Sequence, residues 1–405
     1  ICAMSTNKPK IAIIGGGPAG ATTSLFLSKH GIEHTLFEKA NFPRDKICGD
    51  GLTMEVYRTL NEIDPDLAKE FINLDFVHPA GGAFMGDSKG RQIDFDYRVE
   101  GAVSPMYVAK RELFDNWIFQ KIKLSSSATI KEGVGIDSIV RENKGFLLTT
   151  ADGNEFFDFL IGCDGERSVV KKYLTPEGIK KDRDHHAGGV RAYYKNVKPQ
   201  RDYNPLEFYP LDTFYGYFWI FHLANNECNV GLGGLSREIS DKKINLNREM
   251  EDFIQNNPAI KKRFEGSGKL EKTKGWGIPF NSNRIDYYAD GFILIGDSAS
   301  MAEPLTGKGI GIGMMAAYLA MPTIIKAVEK KDFSKEILAS YQVAILKKFE
   351  KEWDTLYKLV PVFSMKSVLW SIFFFAKIPF LRNMHANGTG IRYQKFMVEK
   401  GYEKS

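Results

Sequence analysis

The sequence contains little cysteine, and its cysteines are far apart. The four are Cys2, Cys48, Cys163 and Cys228, and no two have the spacing of a metal-ligand pair or a redox pair. We therefore expect no metal site and no redox-active cysteine pair. Unpaired thiols favour a reducing compartment, so the expected location is the cytoplasm.

The sequence also lacks a strong excess of charge of one sign. Its net charge is +5 for 405 residues, and it has no basic stripe with interleaved aromatic residues. This excludes nucleic acid as an expected partner. Internal repeats, low-complexity segments and a second glycine fingerprint are absent too. No separate nicotinamide-binding domain is therefore expected.

The apolar segment at residues 359–381 is too short to cross a membrane. In residues 359–381, lysines and prolines leave an uncharged stretch of ten residues at 367–376. A spanning helix needs about 20 such residues. Two interpretations of 359–381 remain open: peripheral contact with the inner face of the membrane, or a cover over the domain that binds the substrate.

The best-defined motif lies near the start of the chain. Residues 11–14 (IAII) predict a buried parallel strand, and Gly15, Gly17 and Gly20 follow it in G-x-G-x-x-G spacing. The first glycine allows a tight turn, the second lets a pyrophosphate approach, and the third allows close helix packing. A second predicted strand ends at Glu38, whose carboxylate can accept hydrogen bonds from an adenosine ribose. This order predicts a dinucleotide site.

A loop rich in glycine and charge follows at residues 41–52. Arg44 and Lys46 are candidates to face phosphate groups or a flavin, and Gly49 indicates close approach of the backbone to a ligand. Cys48 is either a residue beside this ligand or a small buried residue. The residues alone leave both interpretations open.

Three later positions combine a predicted strand with a polar helix start. Arg111 is either an anion-binding residue or a solvated surface charge. Asp164 and Gly165 offer a carboxylate and backbone N–H groups to a ligand. Gly296 and Asp297 end another buried strand.

The segment 304–313 (PLTGKGIGIG) opens a helix with many glycines. A glycine inside a helix costs roughly 1 kcal/mol relative to alanine, so something must require the close approach that glycine allows. A planar ring against the helix N-terminus fits, because the helix dipole favours negative charge there.

Residues 185–234 predict long antiparallel strands with many aromatic side chains. One face of this sheet either lines an apolar pocket or forms an ordinary aromatic core. The pattern alone leaves both interpretations open.

Together these motifs resemble the para-hydroxybenzoate hydroxylase fold of single-component FAD oxidoreductases. The fingerprint with Glu38, the Asp-Gly pair at 164–165 and the Gly-Asp pair at 296–297 occur at about the family's spacing. The resemblance implies FAD, with 296–297 at the ribityl chain and pyrophosphate. Arg111 matches the arginine of the family's R-x-x-F-D segment, near FAD.

The resemblance also implies an α/β fold. It consists of a Rossmann-like FAD-binding domain, a mostly antiparallel β-sheet substrate domain and a C-terminal helical segment. The expected boundaries are 8–82, 104–175 and 272–333 for the discontinuous FAD-binding domain. Residues 83–103 and 176–271 form the substrate domain, and 334–405 form the C-terminal helical segment.

Within this fold the chain is most similar to geranylgeranyl reductases. Segment 46–51 (KICGDG) resembles the family's K-x-C-G segment near the flavin, and 217–222 (YFWIFH) resembles its Y-x-W-x-F-P substrate motif. His222 replaces the proline of that motif. Segment 304–310 resembles P-x-x-G-E-G-I, with Lys308 in place of the glutamate.

The resemblance implies the following site. The cofactor-binding residues are Gly15, Gly17, Pro18, Ala19, Gly20, Glu38, Lys39, Arg44, Lys46, Cys48, Gly49, Arg111, Asp164, Gly165, Gly296, Asp297, Pro304, Gly307, Lys308, Gly309 and Ile310. The substrate residues are Tyr215, Tyr217, Trp219, Phe221 and His222. Cys48 is the expected catalytic residue, since a thiol can donate a proton, and Tyr217 is the alternative.

The implied reaction is hydride transfer from reduced flavin to an isolated C=C bond of a prenyl lipid or a related apolar substrate. The alternative is a flavin-dependent monooxygenase or halogenase that acts through a flavin C4a-hydroperoxide. A flavoprotein without turnover is a third possibility. The electron donor is either NAD(P)H or a ferredoxin.

Overall fold

The structure is a computed structural model that describes residues 8–98, 103–174, 182–282 and 285–363. Its helices are α1 Pro18–Lys29, α2 Met54–Ile63, α3 Pro65–Ile72, α4 Arg111–Ile122, α5 Val169–Leu174, α6 Ser236–Asp241, α7 Leu246–Asn256, α8 Ile310–Lys330 and α9 Lys335–Phe363. Its strands are β1 Ile11–Ile14, β2 His34–Glu38, β3 Gly51–Thr53, β4 His78–Ala80, β5 Gly82–Gly86, β6 Gln92–Asp96, β7 Met106–Val108, β8 Ala128–Glu132, β9 Ser138–Glu142, β10 Gly145–Thr150, β11 Gly153–Phe157, β12 Phe159–Gly162, β13 His186–Lys195, β14 Leu206–Pro210, β15 Gly216–His222, β16 Glu227–Leu235, β17 Gly268–Lys269, β18 Lys274–Pro279, β19 Tyr288–Ala289 and β20 Phe292–Leu294.

A six-stranded sheet carries the glycine fingerprint. Its order is β19-β20-β12-β1-β2-β8. β1 lies inside it, parallel to β12 on one side and to β2 on the other, and all four of its residues are buried. An apolar run covered on both faces is what its isoleucine-rich sequence predicts. Because the parallel strands end at one edge, the residues that follow β1, β2, β12 and β20 meet there.

A larger sheet forms the second layer. Its order is β17-β13-β16-β15-β14-β5-β6, and β18 also pairs with β13. Most neighbours are antiparallel, whereas β14 and β5 are parallel. Helix α7 covers one face, where the rings of Phe218 and Phe253 lie 4.7 Å apart. The other face of β15 carries the alternate side chains and turns toward the six-stranded sheet's loops.

Helix α8 crosses the core between the other helices and packs against α1, α2 and α9. Among the described residues it is the one helix long and apolar enough to cross a membrane, but 67% of its most apolar window is buried inside the protein. Burial in the core accounts for its composition. Helix α9 continues to the larger sheet, where Val360 packs against Ala187, Leu235 and Phe280.

The predicted α/β architecture is confirmed. Two details concern the expected boundaries. The strand β18 was expected in the FAD-binding part, which resumes at residue 272, yet it pairs with β13 in the large sheet. The domain division itself stays a prediction. In the C-terminal segment, α9 covers 335–363. Residues 364–381 of the apolar segment 359–381 lie outside the described part of the chain.

Candidate functional site

The glycine fingerprint forms the turn between β1 and α1. Gly15 has a φ of +102°, and a Cβ there would lie 2.5 Å from the carbonyl oxygen of Cys163. A Cβ on Gly20 would lie 1.8 Å from the Gly15 oxygen. Gly17 is the N-cap of α1, and Pro18 takes the first helical position. The turn therefore brings the positive end of a helix dipole to the open edge of the sheet, where a phosphate can bind.

Glu38 closes this turn from the neighbouring strand. Its buried carboxylate accepts hydrogen bonds from the backbone N–H of Gly16 at 2.8 Å and of Ala40 at 2.9 Å. An ionised carboxylate has about four lone-pair sites, so acceptor capacity remains for ribose hydroxyls. Lys39, by contrast, is exposed.

Two arginines share one buried carboxylate beside the turn. Arg111 binds Asp115 through two bonds of 2.6 and 2.7 Å, and Arg44 binds it at 2.8 Å. Burial alone would lower the pKa of Arg111, but the Asp115 carboxylate more than offsets this and raises it. A Cβ on Gly17 would lie 3.5 Å from a guanidinium nitrogen of Arg44. Arg111 is thus a buried residue of the site and not a solvated surface charge.

Lys46 brings a second cation to the same region. Its Nζ lies 3.7 Å from the ring centroid of Trp276. Burial lowers the pKa of Lys46 to about 8, although the Asp297 carboxylate acts in the opposite direction. A lysine with this pKa is still mostly protonated at neutral pH, and a bound anion would favour its charged form further.

Asp164 leaves one carboxylate oxygen unpaired. Its Oδ2 accepts the N–H of Val169 at 2.6 Å and so caps α5, whereas its Oδ1 is buried without a hydrogen-bond partner among the described residues. Burial raises the pKa of this carboxyl group. Gly165 follows with a φ of +78°. A buried unpaired oxygen next to the glycine fingerprint suits a ligand that donates a hydrogen bond.

The Gly296 turn lies between α1 and α8. A Cβ on Gly296, whose φ is +77°, would lie 3.3 Å from the Cβ of Ala19. A Cβ on Gly309 would lie 3.3 Å from the Asp297 carboxylate. A Cβ on Gly313 would lie 3.3 Å from the Cα of Gly296. Contacts within the protein therefore explain part of the glycine-rich helix start that the sequence assigned to a ring.

The loop before α8 is closed by a buried acid. Glu303 accepts hydrogen bonds from the N–H of Leu305 at 2.5 Å and of Thr306 at 3.1 Å, and also binds the Thr306 hydroxyl. Pro304 is buried, Gly307 has a φ of +73°, and Ile310 begins the helix. The loop thus keeps a compact shape against the Gly296 turn.

Neighbouring carboxylates compensate the positive charge of Lys308. Its Nζ lies 2.9 Å from Glu352 of α9. Burial alone would raise the pKa of Glu55. The charge of Lys308 and the other partners of Glu55 together outweigh burial, so the pKa of Glu55 is lowered. The departure from the family's glutamate is therefore matched by acids on α2 and α9.

Replacement of Lys308 by glutamate is expected to lower the free energy of unfolding at neutral pH by about 1 kcal/mol, the upper end for a partly exposed ion pair. The new carboxylate would face Glu55 and Glu352, and protonation at mildly acidic pH should relieve the repulsion. Thermal unfolding at both pH values measures this. Lys242→Glu is the matched control, because Lys242 pairs with Glu238 on the surface. An equal loss in both variants would contradict the role given to Lys308.

Four rings form one face of the β14–β15 ladder, and we call them the aromatic wall: Phe208, Tyr217, Trp219 and Phe221. Phe208 contacts Tyr217 and Phe221 with ring centroids 5.4 Å apart, and Trp219 lies 5.9 Å from Tyr217. A Cβ on Gly49 would lie 3.3 Å from the Phe221 ring and 3.6 Å from the Trp219 Nε1. The Cys48 loop, residues 44–51, thus lies directly against the aromatic wall.

The two remaining predicted substrate residues, Tyr215 and His222, lie outside the aromatic wall. Tyr215 precedes β15 and packs near Leu305. The structure corrects the predicted placement of His222 with the substrate residues. Side chains alternate across a strand, so the His222 ring points away from the aromatic wall. There it contacts Glu207 at 3.2 Å and the Cys228 sulfur at 3.1 Å. His222 belongs to a buried polar cluster behind the sheet.

The site also contains residues that the sequence analysis did not select. Asp115 joins the two arginines, and Glu303 closes the 304–310 loop. Asp50, which is fully buried, accepts hydrogen bonds from Tyr193 and Asn229, both at 2.8 Å. Asp50 and Asp115 lie inside quoted motifs, so an acid in a glycine-rich or arginine-containing motif was an available signal. No sequence pattern indicated a role for Tyr193 or Asn229.

The residues fit FAD on structural grounds. A side chain at Gly15 would clash with the backbone at Cys163, so the turn must keep its glycine. The first turn of α1 begins there, and Asp164 beside it has a buried oxygen without a hydrogen-bond partner among the described residues. Arginine and lysine side chains converge on the same edge of the sheet. These are the groups that bind a dinucleotide pyrophosphate and orient its attached ring.

Comparison with known proteins agrees with this geometry. The model of the family described as "FAD binding domain" matches residues 8–349. The chain belongs to this family of FAD-binding proteins. It is 28% identical to conditioned medium factor receptor 1 of Dictyostelium discoideum, over 96% of this chain and 75% of that protein. It is 25% identical to a digeranylgeranylglycerophospholipid reductase of Thermoplasma acidophilum, over 87% of this chain and 91% of the relative.

Solved structures show the same fold. A geranylgeranyl bacteriochlorophyll reductase-like protein from Thermoplasma acidophilum superposes with a TM-score of 0.74 at 22% identity, covering 92% of this chain and 96% of that one. The flavin-dependent halogenase CmlS gives 0.73 at 20% identity, covering 91% and 68%. At these identities the structures support the fold alone.

The family resemblance predicted from the sequence is thus confirmed. This flavoprotein is an FAD-dependent oxidoreductase of the geranylgeranyl reductase type. Its substrate, its electron donor and the roles of the individual site residues are proposals.

Proposed function

We propose that this flavoprotein reduces isolated C=C bonds of a prenyl lipid of the geranylgeranyl type. The observation that carries the proposal is the contact between the aromatic wall and the Cys48 loop. Four rings offer an apolar surface to a chain of C=C bonds, and the loop opposite holds a thiol beside cations. The names of the reductase relatives support the same substrate class.

The glycine turns, Arg44, Lys46 and Asp297 would hold FAD, as would the unpaired oxygen of Asp164. When bound and reduced, FAD supplies the hydride. The chain's own task is then to keep the lipid against the aromatic wall, exclude water and deliver one proton to the second carbon of the C=C bond.

Cys48 is the proposed proton donor. Arg111 and Lys46 lie close enough to Cys48 for a charge on its sulfur to raise the pKa of both cations. When the thiol gives its proton to the substrate carbon, the C–H bond forms and the S–H bond breaks. The resulting thiolate lies beside two cations, which stabilise it.

Tyr217 suits a positioning role better than that of proton donor. Its hydroxyl donates to the carbonyl oxygen of Thr306 at 2.5 Å. Burial raises the pKa of Tyr217 above its usual range. A phenol that is a weaker acid, and whose proton already has an acceptor, transfers it less readily. Its hydrogen bond joins the aromatic wall to the loop before α8.

Cys48→Ala is expected to lower turnover by about 100-fold or more while the bound flavin is kept, because a general acid typically contributes this much. The measurement is lipid reduction under steady-state conditions together with flavin content. Cys48→Ser is the matched variant, since a hydroxyl keeps the shape but is a weaker acid, and it should stay close to the alanine variant. Unchanged turnover in both would remove Cys48 from the mechanism.

Three further parts of the proposal follow from the sequence rather than from contacts. The electron donor is NAD(P)H or a ferredoxin. The location is cytoplasmic, with peripheral contact at the inner face of the membrane as the alternative to a fully dissolved enzyme. A monooxygenase or halogenase activity is the competing function, and the structural likeness to CmlS supports its fold only.

A further inference from the structure

Two carboxylates, one on each side of Cys48 in the sequence, bind the Cys48 loop to the larger sheet. On one side, Asp45 binds Arg191 of β13 at 2.5 Å and Lys274 of β18 at 2.7 Å. On the other side, Asp50 accepts hydrogen bonds from Tyr193 and Asn229. The loop belongs to the FAD-binding part, so these carboxylates hold the thiol in register with the aromatic wall.

Asp50 differs from Asp45 in burial and conformation. Its side chain is fully buried, its φ is +65°, and its Oδ1 has no hydrogen-bond partner among the described residues. Aspartate is one of the few non-glycine residues that adopt the left-handed region readily. The contacts of its carboxylate, more than its backbone, therefore distinguish Asp50.

Asn229 connects Asp50 to two functional groups. Its Nδ2 donates to Asp50 at 2.8 Å and to the carbonyl oxygen of Cys48 at 2.7 Å. Its Oδ1 accepts from the indole N–H of Trp219 at 2.8 Å. The indole can only donate, so the amide must present its oxygen to Trp219 and its nitrogen to the other two. One amide thus sets both the Cys48 peptide and the Trp219 ring.

We propose that Asp50 is a positioning residue, whose ionised carboxylate holds Asn229 in the orientation that places Cys48 against Trp219. Protonation of Asp50 therefore loosens the site. The inference rests on the proposed function where it concerns turnover, and on the described contacts alone where it concerns the geometry of Trp219 and Cys48.

The charges around Asp50 explain why it can change state. Burial raises its pKa to about 6, and the donors Asn229 and Tyr193 and the cations Arg191 and Arg111 act in the opposite direction. The guanidinium of Arg191 also lies over the Tyr193 ring, as does the ammonium group of Lys110. The ionised form accepts two hydrogen bonds on one oxygen; the protonated form accepts them more weakly.

The first test is the pH dependence of lipid reduction. Wild-type protein is expected to lose activity toward acid with a midpoint near the pKa of about 6. Asp50→Asn keeps the shape and tolerates the left-handed conformation, but it cannot ionise. It should show about tenfold lower turnover at neutral pH, the loss expected for one charge-assisted hydrogen bond, and no acid limb.

Tyr193→Phe gives a directional test. It removes a donor to the ionised carboxylate, so the acid midpoint should move to higher pH. Asp96→Asn is the matched control, because Asp96 is an acid on the surface that pairs with Arg98. It should leave the midpoint unchanged. An unshifted midpoint in Tyr193→Phe would overturn the proposal.

A second readout does not depend on turnover. The near-ultraviolet circular dichroism of Trp219, isolated by subtracting the spectrum of a Trp219→Phe variant, should titrate with the same midpoint in wild type and stay flat in Asp50→Asn. If this signal titrates but no lipid is reduced, the positioning role stands and the proposed function fails. A Trp219 signal that ignores pH, or that titrates equally in Asp50→Asn, overturns the proposal.

The pH dependence of folding stability tests independently whether folding raises the pKa of Asp50. The pKa of Asp50 is raised from 3.8 to about 6 on folding, so the native protein holds the proton longer than the unfolded chain does. The free energy of unfolding of the wild-type protein should fall as pH rises from 3.8 to about 6, and it should stay at the lower level above this range. Asp50→Asn should lack this decline and unfold at a higher temperature than wild type at neutral pH. An opposite order would contradict a buried ionised Asp50.

Discussion

Gly15→Ala protein is expected to be isolated without bound flavin. The residue has a φ of +102°, and a Cβ would lie 2.5 Å from the Cys163 carbonyl oxygen. The left-handed region costs a non-glycine residue about 1–2 kcal/mol, and the clash must also displace β12 or the turn. Since each 1.4 kcal/mol is a factor of ten, we expect flavin affinity to fall by at least about 100-fold. Flavin absorbance of the purified protein and titration of the apoprotein with FAD measure it.

Gly153→Ala separates conformational strain from close approach. Gly153 has a similar φ of +117°, but no atom lies within 4 Å of its Cβ position. It begins β11, directly after the turn from β10, on a separate sheet of three strands in the order β11-β10-β9. This variant should lose about 1–2 kcal/mol of stability and keep its flavin. If both variants keep flavin, the turn after β1 does not hold the cofactor.

Arg263→Ala is expected to lower the free energy of unfolding by about 3–5 kcal/mol, the cost of leaving a buried charge unpaired. Glu207 is fully buried behind the aromatic wall, and Arg263 binds it through two bonds of 2.6 and 2.7 Å. Tyr209 and His222 complete the cluster. Removal of the guanidinium leaves the Glu207 carboxylate without its cation. Denaturant unfolding measures the loss.

Two controls test the cause of this loss. Arg201→Ala breaks an ion pair with Asp94 whose side chains are 28% and 29% exposed, so it should cost at most about 1 kcal/mol. The double variant Glu207→Gln with Arg263→Met removes both charges and should recover most of the stability. If the double variant is no more stable than Arg263→Ala, lost packing and not the unpaired charge explains the effect.

Local patterns were enough for the nucleotide-binding half of the molecule. The buried strand at 11–14, the glycine spacing and the acid at the end of β2 depend on neighbours within about 30 residues, which periodicity and turn chemistry describe. The same holds for the strand before Gly296 and the helix after Gly309. The region around Cys48 is different, because the Cys48 loop meets β13 and β16 only in the folded chain.

The structure adds what sequence spacing does not encode. Asn229 lies 181 residues from Cys48, the backbone of which it binds. No local pattern distinguishes it from any other buried asparagine. His222 shows the opposite problem, because a motif match placed it with Tyr217 although strand alternation turns it to the other face. The cofactor-binding role of Lys308 stays a prediction, and its pairing with Glu352 on α9 became visible only in the tertiary structure.

The most direct test of the account is reduction of a prenyl lipid by the reduced flavoprotein without oxygen. The bound flavin is reduced with dithionite, a geranylgeranyl lipid is added, and flavin absorbance and lipid mass are followed together. We expect reoxidation of the flavin with gain of one pair of hydrogens by the lipid, and much slower reoxidation in Cys48→Ala. A flavin that stays reduced with the lipid, and instead yields a hydroxylated or halogenated product once oxygen is admitted, would contradict the account.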